Sequence, residues 1–262
     1  MTSRTPLRRV QRAVTTVILA LTATAIAVST PAAAAVADDP TTTEVPTTTT
    51  TTAPPPPAPV PPPAPEPGFH VTGPNLKVGS RGLDVIYLQV QLLQRGFFVQ
   101  EHLGVYGQST KHAVTAFQKA YGLPRNGAVE GWTRVALAMT NDRPVPTILK
   151  TGLAIEVDLR RQVLILSNAG KTLYVLDISS GKPSTPTPRG SFRILREINA
   201  MRISELGALW RPKYFTGGYA LHGNSSVPSH AASHGCVRLT NQEIDFLWAS
   251  GLAPIGTPVT LY

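Results

Sequence analysis

The sequence predicts a multidomain chain in which a small three-helix domain precedes a mainly β domain with one helix. Apolar residues recur with the period of a helix up to about residue 140 and with the period of a strand after about residue 151. The proline-rich segment Arg143–Pro146 separates these two patterns and marks a boundary. The first 73 residues follow neither period and contain an apolar leader and a tract of threonine and proline.

Residues 1–37 have the three parts of a secretory signal peptide. Four arginines precede an apolar run from Ala13 to Val28, and small residues at 33–37 suit cleavage. We therefore expect a secreted protein located in the cell wall or elsewhere outside the cytoplasm. The alternative is an uncleaved membrane anchor, because the run is near the lower length limit for a bilayer span. Membrane contact is expected only in that case.

Residues 38–73 are predicted to form a disordered linker. Threonine and proline dominate it, with runs at Thr47–Thr52 and Pro54–Pro57. Such a composition buries too little apolar surface to offset the entropy of ordering the chain. We expect a tether for the domains that follow, and the sequence leaves glycosylation of its threonines open.

Residues 74–140 have the pattern of three short helices. The first is predicted to begin at a Ser80 cap and to end at Gly96, with an apolar face of Val85, Leu88, Leu92 and Leu93. The second begins at Ser109 or Thr110 and ends at Gly122, with an inner face of Ala113, Val114, Phe117 and Tyr121. The third opens at 131–133. The pattern predicts a small bundle with a thin core of its own.

The residue identities in this segment are more specific than its helical period. In order it contains Leu88-Gln89, Gly96-Phe97, Gly104-Val105-Tyr106-Gly107, Phe117-Gln118, Gly122-Leu123, Gly127-Ala128-Val129 and Trp132. This string resembles the three-helix peptidoglycan-binding domain, type 1. The resemblance implies binding to peptidoglycan, and from polarity alone Gln89, Tyr106 and Gln118 are the expected contact residues.

Residues 151–262 are predicted to be mainly β. Strand-like segments occur at 155–159, 163–166, 173–178, 192–195, 220–221 and 259–261, and Ser167–Lys171 is a turn between two of them. One helix is predicted, with Thr240 as its cap, Glu243 as the capping-box partner and Gly251 at its end. Its inward face is Ile244, Leu247 and Trp248.

Cys236 is the single cysteine, so an intrachain disulfide is excluded. A lone cysteine is either a small buried hydrophobe or a reactive thiol. His222 and His234 lie near it in the sequence, and either could serve as its base, which predicts an ionised sulfur held against an imidazole. Gly235 permits positive φ and could aim the N–H groups of Gly235 and Cys236 at an oxyanion.

The stretch from Leu221 to Leu239 resembles the signature of the L,D-transpeptidase catalytic domain, the YkuD family. The signature residues are His222 and Ser233-His234-Gly235-Cys236, and 179–182 and 187–192 resemble the family's strand and loop before the site. The resemblance covers about residues 152–262 and implies a β-sandwich. It makes Cys236 the nucleophile and His222 its base, oriented by the Gly223 carbonyl.

By the same resemblance, His234 and Gly235 shape the oxyanion site and Ser233 belongs to the motif. Arg238 would order the loop or meet a substrate carboxylate. The implied reaction is acylation of Cys236 by a tetrapeptide stem with loss of D-alanine, followed by attack of a neighbouring amine to give a 3→3 cross-link. The roles implied are in peptidoglycan synthesis and cell shape, with carbapenems acylating the same sulfur.

Several alternatives stay open at this point. The same site could act as an L,D-carboxypeptidase or anchor proteins to the wall, and the chain could be a non-catalytic wall-binding protein. A zinc site built from His222, His230, His234 and Cys236 fits poorly, because the spacing matches no structural zinc pattern. No cofactor or metal is expected. The net charge of +9 is too scattered to predict nucleic-acid binding, and the sequence does not give the oligomeric state.

Overall fold

The structure, a computed structural model, describes residues 69–148 and 150–262. The predicted signal peptide, and the linker up to residue 68, lie outside the described residues. The helices are α1 (Leu83–Gln94), α2 (Gln108–Ala120), α3 (Gly131–Met139) and α4 (Asn241–Ser250). The strands are β1 (Leu153–Asp158), β2 (Val163–Asn168), β3 (Lys171–Asp177), β4 (Gly190–Arg193), β5 (Arg196–Glu197), β6 (Met201–Ser204), β7 (Gly207–Thr216), β8 (Tyr219–Asn224), β9 (Val237–Thr240) and β10 (Pro258–Leu261).

Two sheets form the β part. The first has the order β3-β2-β1-β10-β4, and the second has the order β5-β7-β8-β9, with β6 paired to β7. Two neighbouring pairs, β1 with β10 and β8 with β9, are parallel. Buried side chains of both sheets meet in one core that includes Leu164, Leu166, Phe215, Leu221 and Val237. The predicted mainly β domain is therefore confirmed.

The local signals around α4 and the first hairpin are also confirmed. Thr240 caps α4 by accepting from the N–H of Glu243, and Glu243 completes the capping box. Gly251 ends the helix in the left-handed conformation. The hairpin turn is tighter than predicted: Asn168 pairs with Lys171, so only Ala169 and Gly170 lie between the strands, both with positive φ.

Three consecutive strands, β5 to β7, and the short strand β9 were not predicted. Strand β7 contains Pro212, and its pairing with β8 shifts register between Trp210 and Lys213. Arg211 at this irregularity has φ 49°. Proline and a bulge both interrupt the alternation on which strand prediction depends. The residues of β6 are all exposed, so no apolar period marks that strand.

The helical segment shows both confirmed and wrong predictions. Gly96 follows α1 with φ 84°, and its N–H and that of Phe97 donate to the carbonyls of Leu93 and Leu92, a Schellman motif. The Ser80 cap is wrong, because α1 begins after Gly82 and the Ser80 hydroxyl accepts from the N–H of Lys77. Leu93 is 40 % exposed and does not share the buried face.

The thin core predicted for the three helices is shared with the first sheet. Phe97 and Phe117 of the helical segment belong to one buried cluster with Val163, Ile165 and Val175 of β2 and β3. The outer face of the first sheet therefore completes the core that three short helices could not fill. The predicted linker also extends too far, since Phe69 is buried in the same cluster beneath the Arg134 guanidinium.

Candidate active site

Strands β8 and β9 bring the predicted site residues to one face of the second sheet. They pair in parallel, with Leu221 opposite Val237 and His222 opposite Arg238. Because side chains alternate along a strand, Leu221 and Val237 point into the core and His222 and Arg238 point away from it. Cys236 precedes β9 by one residue. Its side chain, His222 and Arg238 line one cavity of about 820 Å³.

His222 is held in one orientation. Its Nδ1 lies 2.9 Å from the Gly223 carbonyl oxygen, which can only accept, so Nδ1 donates and Nε2 keeps the lone pair. The predicted orienting carbonyl is thus confirmed. The ring is 4 % exposed, and burial lowers its pKa to about 4. The imidazole is consequently neutral near pH 7 and able to accept a proton at Nε2.

Cys236 is partly buried at the floor of the cavity. Its thiol donates to the Gly218 carbonyl at 3.7 Å, and the Ala220 amide bonds to the sulfur. Burial raises the pKa of the thiol, and this outweighs the lowering by the Ala220 amide and by the Arg238 charge. The direction of both shifts favours a neutral thiol and a neutral imidazole over the expected ionised sulfur.

Ser233 fixes the turn that carries the sulfur. Its hydroxyl donates to the Cys236 carbonyl at 2.5 Å and accepts from the Gly235 N–H at 3.0 Å. The side chain is 1 % exposed. The Gly235 N–H, one of the two donors predicted for an oxyanion, is therefore already engaged. Of the two predicted donors, the Cys236 N–H remains.

Gly235 is required by both conformation and space. Its φ is 119°, which other residues rarely adopt, and a Cβ added there would lie 2.5 Å from the Tyr219 ring. Tyr219, at the start of β8, thus covers the turn on one side. This contact could not be predicted from the sequence, because an aromatic residue beside two glycines has no motif of its own.

The segment 179–187 holds the turn from the other side. The Ser180 carbonyl accepts from the N–H groups of Ala232 and Ser233, both at 2.9 Å. The Thr187 hydroxyl donates to the Gly235 carbonyl at 2.7 Å and accepts from the Gly181 N–H. The segments that resemble the family's strand and loop before the site therefore contact the turn directly.

His234 lines the same cavity but is exposed. The sequence left open which histidine faces the sulfur as its base. The buried, oriented ring of His222 fits that role, whereas no oriented contact holds His234 among the bonds of the described chain. All six predicted residues, Cys236, His222, His234, Gly235, Ser233 and Arg238, occur within this one cavity wall or its turn.

Two further arginines give the cavity an excess of positive charge over its one acidic lining residue, Glu205. Arg196 and Arg202 line it together with Arg238, and Arg196 stacks over the Tyr214 ring at 3.8 Å. Within residues 69–148 and 150–262, none of the three forms an ion pair with a carboxylate. Arg196 and Tyr214 could not be identified from the sequence, since they lie in strands that no apolar period marked.

The described part of the chain contains no group of three or more His, Cys, Asp or Glu side chains placed to hold a metal ion. The same residues include no helix with the length and apolarity that a bilayer span requires.

The three residues proposed to contact peptidoglycan are internal instead. Gln89 bonds to the Gly104 N–H and the Val105 carbonyl, and Gln118 bonds to the Gly127 N–H and the Ala128 carbonyl. The Tyr106 hydroxyl donates to the Gly127 carbonyl. All three are fully buried, so that expectation is wrong. Polarity alone does not distinguish a buried amide that bonds to the backbone from a surface side chain that binds a ligand.

A two-sheet β domain with a cysteine–histidine cavity, joined to a helical unit, defines the class of protein, and known proteins agree with it. The family model "L,D-transpeptidase catalytic domain" matches residues 153–261, and "Putative peptidoglycan binding domain" matches residues 81–137. The protein "Putative L,D-transpeptidase YkuD" of Bacillus subtilis (strain 168) is 30% identical over 122 residues, which are 45% of this chain and 70% of that protein.

A solved L,D-transpeptidase from Xylanimonas cellulosilytica is 41% identical, with a TM-score of 0.69, over 73% of this chain and 98% of that one. The chain belongs to the YkuD family of L,D-transpeptidases. The family acts on peptidoglycan, which implies a role outside the cytoplasm.

Proposed function

We propose that the protein is an exported L,D-transpeptidase that forms 3→3 peptidoglycan cross-links through a thioester on Cys236. The observation that carries the proposal is the arrangement of His222: the bond from Nδ1 to the Gly223 carbonyl leaves Nε2 as an acceptor in the cavity of Cys236. A neutral base in the same cavity as a neutral thiol suits proton transfer during attack.

The proposed reaction has two halves. Cys236 Sγ attacks the carbonyl of the third stem residue while its proton passes to His222 Nε2, and the Cys236 N–H stabilises the oxyanion. The C–N bond to the terminal D-alanine breaks, and His222 returns the proton to the leaving amine. A side-chain amine of a second stem then attacks the thioester. His222 takes the amine proton and delivers it to the sulfur, which leaves as the thiol.

The cationic wall supports a substrate that carries carboxylates. Stem peptides have free carboxylates, and guanidinium groups bind them in a bidentate manner. Arg196, Arg202 and Arg238 line the cavity without acidic partners in the described chain. We assign Arg238 to ordering the loop and to the substrate charge nearest the sulfur.

Replacement of the sulfur tests the proposal. Cys236→Ala should abolish dimer formation from tetrapeptide stems, measured by mass spectrometry of the products, while His230→Ala on the exposed part of the same loop should leave it intact. Cross-linking by the Ala variant would contradict the thioester. Tripeptide products without dimers in the wild-type protein would instead support the L,D-carboxypeptidase alternative, and dimers with added protein amines would support anchoring of wall proteins.

Carbapenems provide a second test of the same sulfur. The proposal expects a covalent adduct with the mass of the β-lactam on the wild-type protein and none on Cys236→Ala. An adduct that survives this substitution would place the nucleophile elsewhere.

We also propose that the chain works in the wall, with 1–37 as signal peptide, 38–68 as tether, and the helical unit as a peptidoglycan-binding element. A cleft of about 560 Å³ at the start of α3 supports the binding role. Trp132 lines it beside Asn75 and is 74 % exposed. An exposed indole next to an amide suits stacking on a sugar ring.

Trp132→Ala should reduce co-sedimentation with purified wall, and Met139→Ala is the matched control. Met139 lies on the same helix and is 75 % exposed, but it does not line the cleft. Equal loss in both variants, or no loss in either, would contradict the proposed surface.

A further inference from the structure

A buried ion pair joins the helical unit to the sheet. Lys119 on α2 places Nζ 2.5 Å from Asp177 Oδ1 and 2.7 Å from the Ile178 carbonyl oxygen. His112 lies on the same helix, and its Nδ1 is 2.7 Å from Asp177 Oδ2. The side chains of Lys119 and Asp177 are both 0 % exposed. The ammonium therefore bonds to the end of β3 at two acceptors, the Asp177 carboxylate and the Ile178 backbone carbonyl.

The end of β3 that Lys119 contacts leads directly to the Cys236 site. Ser179, the residue after Ile178, exchanges two backbone hydrogen bonds of 3.0 Å with Arg238. Its hydroxyl donates to the His230 carbonyl at 2.7 Å. Arg238 is two residues from Cys236 and opposite His222 in the sheet. A shift of Ile178 would consequently move the strand that carries the sulfur.

A second connection reaches the same strand from its other end. The Asp177 N–H donates to Glu243 Oε1 at 3.0 Å, and Glu243 Oε2 accepts from the N–H and hydroxyl of Thr240. Thr240 is the last residue of β9. Strand β9 is thus bonded through Ser179 at Arg238 and through Asp177 and Glu243 at Thr240, and Lys119 bonds to Asp177.

A buried ion pair is a poor source of stability, because desolvation offsets most of the attraction. Apolar residues would fill the space between α2 and β3 at lower cost, as the aromatic and aliphatic residues around it already do. What charged groups supply here is a fixed direction and distance, since an ammonium with two short acceptors allows little freedom. The pair is therefore better suited to positioning than to binding α2 to the sheet.

We propose that Lys119, in the unit that resembles a wall-binding domain, is a positioning residue for the Cys236 site. It acts through Asp177, Ile178 and the Ser179–Arg238 pairing and does not touch substrate. The helical unit is accordingly part of the catalytic structure. The inference rests on the proposed function of Cys236, but it concerns a residue that neither family resemblance assigns to catalysis.

Lys119→Met in the full chain tests the proposal, with Asp177→Asn added so that no buried charge is left unpaired. We expect kcat on soluble tetrapeptide stems to fall about tenfold with KM nearly unchanged, because misplacement of the sulfur affects the reacting geometry and not the outer substrate contacts. The rate of Cys236 alkylation by iodoacetamide should change as well. This second readout needs no substrate, so it tests the link even if wild-type protein lacks transpeptidase activity and the proposed function fails.

Arg95→Met is the matched control. Arg95 is an equally buried cation of the helical unit, but its partners, on Gln91, Leu137, Thr140 and Asn141, lie in that unit or directly after it and not on the sheet. At equal loss of thermal stability it should leave kcat and alkylation unchanged. An equal fall of kcat in both variants, or an unchanged kcat in the Lys119 and Asp177 double variant, would overturn the proposal.

If the double variant does not fold, Lys119→Arg carries the test. Arginine keeps the charge, but its larger planar guanidinium cannot take the place of the ammonium without displacing one of the two acceptors. We expect kcat to fall about threefold by the same misplacement. A kcat equal to that of wild type in a folded Lys119→Arg protein would contradict positioning by the shared ammonium.

Discussion

The side chains of His222 and Cys236 are both largely withdrawn from water, and burial acts on their pKa values in opposite directions. It lowers the pKa of the imidazole to about 4 and raises that of the thiol. Each shift favours the neutral form. In the proposed mechanism the proton therefore moves when substrate arrives, and no preformed thiolate–imidazolium pair is needed.

This resting state predicts the pH dependence of Cys236 alkylation. Between pH 5 and 8 the imidazole stays neutral and cannot stabilise a thiolate, so the rate should rise by about tenfold per pH unit and level off only above the range of free cysteine. The measurement is iodoacetamide labelling of the full chain, with free cysteine as reference. A plateau between pH 5 and 8 would indicate an ion pair and contradict the neutral state.

Replacement of Ser233 tests the role of its hydroxyl. Ser233→Ala removes the partner of the Gly235 N–H and of the Cys236 carbonyl, which should cost about 1–3 kcal/mol for the unsatisfied groups and lower kcat. Ser233→Thr keeps the hydroxyl and should retain most activity. Stability and kcat of both variants, measured by thermal unfolding and dimer formation, decide the point. Equal activity of the two would contradict the role of the hydroxyl.

Strand β9 and helix α4 form one connected structural unit, because the last residue of the strand caps the helix. The strand carries the turn of Cys236 at one end and the α4 cap at the other, and Glu243 of the cap bonds to Asp177 of β3. Glu243 is deeply buried, and burial and the Asp177 charge raise the pKa of its carboxyl to about 7. The protonation of the Glu243 carboxyl, which completes the α4 cap, therefore changes near pH 7.

This proton makes the stability of the cap depend on pH. A raised carboxyl pKa means that the folded state binds the proton more tightly than the unfolded state, so the contribution of Glu243 declines as pH rises from its ordinary value of 4.5 to about 7. Glu243→Gln cannot ionise. The melting temperature of the variant relative to wild type should therefore rise across this window. A constant or falling difference between pH 4.5 and 7 would contradict the raised pKa.

At the scale of the whole molecule, the helices and the first sheet share one buried cluster. Val163, Ile165 and Val175 face Phe97 and Phe117 across it. Neither part has a complete core without the other. The described part of the chain should accordingly behave as one cooperative unit even though two family models divide it.

Residues 69–262 are therefore expected to unfold in a single transition, with equal calorimetric and van't Hoff enthalpies. A fragment of residues 151–262 should expose the apolar outer face of β2 and β3 and bind a hydrophobic dye. Two separated transitions, or a folded fragment that does not bind the dye, would show that the domains are independent. Sharing of the core also explains why point substitutions, and not deletion of the helices, are the appropriate tests of wall binding.

The sequence by itself determined the order of the units, the α4 cap, the Schellman end of α1 and the cluster of site residues. Each of these is a local property: capping and positive φ depend on a few neighbouring residues, and the cysteine and histidines lie within fifteen positions. It also indicated the Gly223 carbonyl, which is adjacent to His222.

Only the tertiary structure decided which groups are buried and what they face. The neutral state of the thiol, the engaged N–H of Gly235, the internal role of Gln89 and Gln118, and the grip of Lys119 on Asp177 all depend on contacts between distant segments. Desolvation and hydrogen bonding act through space, so residue order alone does not determine them. The shared core of helices and sheet could not be predicted for the same reason, since a buried face of a strand has the same period whichever partner covers it.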